Sequence, residues 1–231
     1  MSFAGRDPDR GRWRRHRLDA ALLYVITGTR DEQGDLVAFL DAVLRGGADV
    51  IQLRDKHAAV TSLLSAGALF KEAAERHDAL FIVNDRPDVA LALDADGVHL
   101  GQDDLPPGLA RPIVGPDAII GLSTHSRSQF AGADAAADYL CAGPVYATPT
   151  KPGRPATGLD LVTDAATLAA DERERRPWFA IGGIDALTLP DVIAAGARRA
   201  VVVRAADGGD PYAAVVALRE TLLRVQTSTQ L

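Results

Sequence analysis

The chain has 231 residues, 47% hydrophobic and 24% charged, with a net charge of −6. That length suits one large domain or two small ones, and the balance excludes wholesale disorder and a fibrous repeat. A single cysteine, Cys141, rules out an internal disulfide and a Cys-rich zinc site, and the negative total argues against a general nucleic-acid binder.

Residues 1–18 hold six arginines with Trp13 and lack any apolar period. They are expected to form a basic, flexible N-terminal arm, with anion binding or subunit docking as the alternative, ahead of a single domain over residues 19–231. No apolar run approaches the roughly 20 residues that span a bilayer, and no apolar segment of secretory length follows the basic start. A cytoplasmic enzyme or binding protein is therefore expected.

From Leu22 onward the pattern changes to eight short β-rich apolar runs: Leu22–Thr27, Asp49–Leu53, Leu80–Val83, Gly97–Leu100, Ile119–Ser123, Asp138–Ala142, Trp178–Gly182 and Ala200–Val203. Between them, apolar residues three or four apart predict helices over Asp35–Arg45, Thr61–His77, Ser126–Ala137, Leu159–Asp171, Ala186–Ala195 and Pro211–Val225. The segments after the third and fourth runs are shorter. Continuous apolar strands alternating with helices imply a covered parallel sheet. Eight such units match an α/β fold of the closed (β/α)₈ TIM-barrel type, in a single domain, better than a doubly wound sheet. No Gly-x-Gly-x-x-Gly follows the first strand and no Walker loop occurs, which weakens the dinucleotide and P-loop alternatives.

In a barrel the chemistry collects at the C-terminal strand ends. After the second strand, period-two alternation sends Gln52, Arg54 and Lys56 to one side of Gln52-Leu53-Arg54-Asp55-Lys56, as an anion site or as an exposed salt-bridging loop. Asn84-Asp85-Arg86-Pro87 ends the third strand, as a turn and helix start or as part of a cation site. Asp103 and Asp104 follow the fourth. Carboxylates gathered at one mouth repel unless a cation lies between them, and few oxygen ligands plus substrate phosphate is the usual Mg²⁺ arrangement. The fifth strand ends in Ser123-Thr124-His125, where His125 is either a base or an ordinary helix-start histidine. A Pro-rich loop after the sixth carries Thr148, Pro149, Thr150 and Lys151, with phosphate-type donors. Gly182-Gly183 after the seventh and Val203-Arg204 after the eighth occupy the customary phosphate end of this fold. Only three lysines occur, and two of them, Lys56 and Lys151, fall in these segments.

Six ordered motifs from Gln52 to Ile184 carry a resemblance to the thiamine-phosphate synthase (thiamine-phosphate pyrophosphorylase) family, extending from about Leu22 to Leu223. The resemblance implies condensation of hydroxymethylpyrimidine diphosphate with a thiazole phosphate, or its 2-carboxy form, by dissociative loss of pyrophosphate. It implies that Gln52, Leu53, Arg54, Asp55, Lys56, Asn84, Ser123 and Lys151 contact the diphosphate substrate, with Arg54, Lys56, Ser123 and Lys151 catalytic. Asp85 and Asp104 match Mg²⁺ ligands. Thr148, Pro149, Thr150, Gly183, Val203 and Arg204 match the thiazole-phosphate positions, although the family pattern has serine where this chain has Arg204. The partners implied are these two small molecules, with no nucleic acid or membrane and with a homo-oligomer left open. A thiazole tautomerase using His125 and a non-catalytic phosphate-binding barrel are the rivals; intact Arg54, Lys56, Asp85 and Asp104 argue against the first.

Overall fold

The computed structural model describes residues 8–148, 156–171 and 176–228. Eight strands, β1 (Leu23–Thr27), β2 (Val50–Leu53), β3 (Leu80–Asn84), β4 (Gly97–Leu100), β5 (Ile119–Thr124), β6 (Tyr139–Ala142), β7 (Trp178–Ile181) and β8 (Ala200–Val202), run parallel in sequence order. The barrel closes where β1 pairs with β8, Tyr24 opposite Val201. This is the expected (β/α)₈ architecture.

Period-two alternation divides the strand side chains into two apolar layers. Tyr24, Ile26, Val50, Leu80, Ile82, Ile119, Tyr139, Cys141, Phe179 and Val201 fill the barrel interior. Their neighbours, among them Val25, Leu53, Val83, Leu100, Leu122, Ala180 and Val202, face the surrounding helices. Both faces are thus dry, which is why the strands read as continuous apolar runs rather than alternating ones. Phe179 meets Tyr24 and Tyr139 edge to face in the interior, with ring centroids 5.7 and 5.8 Å apart, and the two tyrosine rings are tilted at 57° to each other, 6.1 Å apart. Gly121 makes room for them, because a Cβ there would stand 2.1 Å from the Tyr139 ring.

The outer layer comprises α2 (Leu36–Arg45), α3 (Val60–Arg76), α4 (Pro87–Ala92), α5 (Pro107–Val114), α6 (Arg127–Ala131), α7 (Gly158–Ala169), α8 (Leu189–Ala194) and α9 (Pro211–Ser228), preceded by α1 (Pro8–Ala20). The predicted helix over Ser126–Ala137 is cut to α6. Its chain turns at Gly132, and the Asp134 carboxylate accepts hydrogen bonds from the Ala136 and Gly108 amides. Asp134 thereby ties the segment to α5. Among the described residues no helix is long and apolar enough to cross a membrane.

Over residues 8–18 the expected flexible arm requires correction; residues 1–7 of that arm lie outside the described residues. Residues 8–20 form α1, which packs across the N-terminal end of the barrel, opposite the predicted mouth, with Leu18 and Ala21 joined to the interior cluster. Three of its arginines, Arg10, Arg14 and Arg17, have counterions in the turns leading into β3 and β4. The buried Arg14 Nε donates to Asp96 at 3.0 Å and its Nη2 to the Ala95 carbonyl, while Arg10 reaches Asp94 at 2.7 Å and Arg17 reaches Asp78 at 3.4 Å. Trp13 Nε1 donates to Asp78, and Arg199 donates to the Ala21 and Asp19 carbonyls. These partners lie far away in the chain, so local composition resembles a solvated tail.

Removing Arg14 would take the nearest cation from the buried Asp96 carboxylate and leave it the Phe81 amide at 3.0 Å and Arg10 at 3.4 Å, which compensate part of its charge. Arg14→Ala is therefore expected to cost about 2–3 kcal/mol in urea unfolding, below the roughly 3–5 kcal/mol of a fully orphaned buried charge, while folded protein keeps its catalytic parameters. A loss below about 1 kcal/mol would show that the Arg14–Asp96 pair contributes no more than an exposed one.

Candidate active site

At the C-terminal end of the barrel a cavity of about 240 Å³ opens, lined from all eight strands or the loops that follow them. Gln52, Arg54, Asn84, Ser123, Thr148, Gly183, Val203 and Arg204, all predicted site residues, line it. Each stands at or just beyond the C-terminal end of its strand. Alternation places Gln52 and Ser123 inward, where they are 1% and 4% exposed. Arg54 has no carboxylate partner among the described residues.

Two residues of the second-strand segment are turned elsewhere. Leu53 lies in the layer between strands and helices, so its side chain does not line the cavity. Asp55 shapes its own loop: its carboxylate accepts from Thr29 Oγ1 at 3.1 Å and from the His57 and Ala58 amides at 3.1 and 3.0 Å. Burial pushes the Asp55 carboxyl up, but these hydrogen bonds together overcome it, and the net displacement is below the usual carboxylate range. Asp55 is thus a fixed anchor for the Arg54–Lys56 turn. Pro149, Thr150 and Lys151 lie outside the described residues.

The rim beside Arg54 holds a three-residue charge cluster. Lys56 Nζ stands 3.0 Å from Asp85 Oδ2, and the Asp104 carboxyl shares a hydrogen bond with Asp85. Asp85 takes a left-handed backbone, φ 61°, a conformation that aspartate tolerates, and its amide donates to the His99 carbonyl at 2.8 Å. Asp104 Oδ2 accepts from the Gly101 amide at 2.7 Å. Burial, and then the hydrogen bond and charge of Asp85, raise the Asp104 carboxyl above its ordinary range, with Gly101 and Lys56 opposing. Two carboxyls held face to face share a proton or a cation.

The opposite wall is made by β7 and β8. Gly182 and Gly183 both adopt positive φ, 107° and 66°, and a Cβ on either would strike Pro144 or Tyr146 at 2.5–2.7 Å. The chain can therefore turn close against the β6 loop only with glycine at both positions. Asp185 closes the turn by accepting from the Leu187 and Thr188 amides, each at 2.9 Å. The Thr188 amide chiefly holds its carboxyl below the usual range, with a smaller contribution from the charge of Arg204. His125 also borders the cavity, with its Nδ1–H given to the Gly143 carbonyl at 2.5 Å.

Sequence reasoning found Gln52 and Ser123 but did not single out the other polar groups inside the barrel, His99 and the hydroxyls of Tyr24 and Tyr139. His99 lines the cavity floor at 6% exposure, between Ser123 Oγ and the Tyr139 hydroxyl. A histidine at an inward position of an otherwise apolar strand was the available signal.

A parallel barrel whose C-terminal mouth joins cations and paired carboxylates on one side to a glycine turn on the other belongs to the class of barrel enzymes that act on small molecules. The comparisons narrow the class. The family described as Thiamine monophosphate synthase matches residues 23–206, and the chain belongs to that family. It is 54% identical to the thiamine-phosphate synthase of Mycobacterium leprae over 221 residues, covering 89% of this chain and 92% of that one. It is 57% identical to the thiamine-phosphate synthase of Acidothermus cellulolyticus, covering 84% and 91%. Among solved structures, thiamine phosphate pyrophosphorylase from Pyrococcus furiosus superposes with a TM-score of 0.77 at 34% identity, covering 91% of this chain and 98% of that one.

Proposed function

We propose that this chain is a transferase that condenses hydroxymethylpyrimidine diphosphate with a thiazole phosphate, or its 2-carboxy form, to give thiamine phosphate and pyrophosphate. The observation that carries the reading is a single cavity bordered by Arg54, Asn84 and Ser123, with Lys56, Asp85 and Asp104 at one rim and Thr148, Gly183, Val203 and Arg204 on the other wall. One side suits a diphosphate and the other a monophosphate. Both ligands could then sit within reach of each other.

In this reading the C–O bond between the pyrimidine methylene and the diphosphate breaks, and the bonding pair leaves with pyrophosphate. The aminopyrimidine ring spreads the resulting positive charge, and the thiazole nitrogen lone pair forms the new C–N bond. No enzymic nucleophile is required. Arg54 provides a planar fork for the departing diphosphate, Lys56 a mobile charge at its edge and Ser123 a hydroxyl donor. Lys151, which lies outside the described residues, is assigned to the same leaving group. Thr148, Pro149, Thr150, Gly183, Val203 and Arg204 hold the thiazole phosphate, with Arg204 adding a charge beside Asp185.

Mg²⁺ fits the rim: Asp85 and Asp104 are hard oxygen donors already held together. Among the described residues no group of three or more His, Cys, Asp or Glu side chains that could hold a metal ion is present, so Asp85 and Asp104 would hold the ion together with oxygens of the diphosphate and water. When bound, the ion would neutralise charge developing on the leaving pyrophosphate. The lone buried Cys141 accords with a cytoplasmic setting.

Incubation with the two precursors should yield thiamine phosphate and pyrophosphate in equal amounts, and EDTA should stop the reaction until Mg²⁺ is restored. Isomerised thiazole without pyrophosphate, or no turnover with Mg²⁺ present, would overturn the assignment.

A further inference from the structure

Five polar side chains, each on a different strand, join end to end across the barrel interior. Gln52 Nε2 lies 2.5 Å from the Tyr24 hydroxyl, which is 3.0 Å from the Tyr139 hydroxyl. The Tyr139 hydroxyl is 3.0 Å from His99 Nδ1, and His99 Nε2 is 2.9 Å from Ser123 Oγ. None of the five is more than 6% exposed. Burial drives both phenols far above their ordinary pKa, so each keeps its proton.

The chemistry of one end sets the direction of the whole row. An amide N–H can only donate, so Tyr24 accepts from Gln52 and gives its own proton to Tyr139. Tyr139, having accepted, gives its proton to His99 Nδ1. The imidazole must then carry its hydrogen on Nε2 and donate it to Ser123. Ser123 Oγ has accepted from inside the barrel, which leaves its own O–H to point outward. At the opposite end, Gln52 Oε1 is buried with no partner and borders the same cavity.

We propose that Gln52, Tyr24, Tyr139 and His99 form a one-way hydrogen-bond relay that commits Ser123 to donate into the cavity, with Tyr24, Tyr139 and His99 as positioning residues. Neither tyrosine lines the cavity, so neither acts by touching the ligand. The relay makes Ser123 selective for an acceptor, such as an oxygen of the leaving diphosphate, and Gln52 for a donor. This role rests on the synthase reading, but the polarity of the row does not.

Two measurements separate these levels. Nitrogen-15 NMR of histidine-labelled protein, with His99 assigned through His99→Gln, should show the neutral ring protonated on Nε2; protonation on Nδ1 would reverse the relay and overturn the proposal whatever the enzyme's activity. The second compares Tyr139→Phe in the presence and absence of the serine hydroxyl, by single-turnover pyrophosphate release. Loss of one buried hydrogen bond should slow the reaction about tenfold with Ser123 present and about twofold or less in Ser123→Ala enzyme. Equal losses in both backgrounds would mean that Tyr139 is merely structural. Should Tyr139→Phe fail to fold, Tyr24→Phe serves in the same cycle with the same two outcomes.

Discussion

Asp85→Ala is expected to reduce turnover by about 10²–10³-fold and to abolish the response to added Mg²⁺, the scale set by losing one preorganised electrostatic contact in an active site. Its carboxylate bridges the rim cluster, 3.0 Å from Lys56 and hydrogen-bonded to Asp104. Without it, Asp104 alone faces the diphosphate edge, and Lys56 loses the partner that orients it. The backbone adds a second consideration. Asp85 sits at φ 61°, where alanine costs about 1–2 kcal/mol. That penalty is small beside the rate effect, so a variant with nearly native thermal stability and almost no pyrophosphate release would locate the defect in chemistry. Steady-state assays across a Mg²⁺ titration decide the matter, and normal activity with unchanged metal dependence would sink the assignment.

The second large effect belongs to Arg54. It borders the cavity and lacks a carboxylate partner among the described residues, whereas Lys56 is already engaged with Asp85. A cation in a confined mouth without its own counterion is available to a ligand. Arg54→Ala should slow pyrophosphate departure about a hundredfold and weaken pyrophosphate binding in calorimetry. Arg54→Lys should recover only part of the loss, because a point charge cannot grip two oxygens with a planar fork. Unaltered pyrophosphate affinity in Arg54→Ala would place the leaving group elsewhere. The two substitutions also differ in kind. Arg54→Ala should keep its Mg²⁺ dependence, whereas Asp85→Ala should lose it.

Much of the barrel was legible from one dimension. The eight apolar runs fall on the eight strands to within about two residues at each end, because strands buried on both faces must be apolar throughout. The strand-end motifs mark the mouth for a related reason: polar residues immediately after a dry strand have little else to do. Within a motif, alternation separated Gln52 and Arg54 from Leu53, whose side chain belongs to the helix-facing layer. Asp55 shows the limit of that rule, since its carboxylate is taken by Thr29 and two local amides rather than offered to a ligand.

A length of 231 residues and a net charge of −6 bound the chain to one or two domains and argue against a general nucleic-acid binder. Hydrophobic periodicity by itself located the eight strands, their alternation with helices and the segments where polar groups collect, since these follow from local patterns of period two and about 3.6, and the count of eight favoured a closed barrel. Tertiary structure alone decided which charges meet. It paired Arg10, Arg14 and Arg17 of α1 with aspartates some 60 to 85 positions away and brought Lys56 to Asp85 across adjacent strand ends. It also strung Gln52, Tyr24, Tyr139, His99 and Ser123 into one row. Coulombic attraction and hydrogen bonding act through space over a few ångströms, and closing the barrel brings residues that close without regard to their separation along the chain.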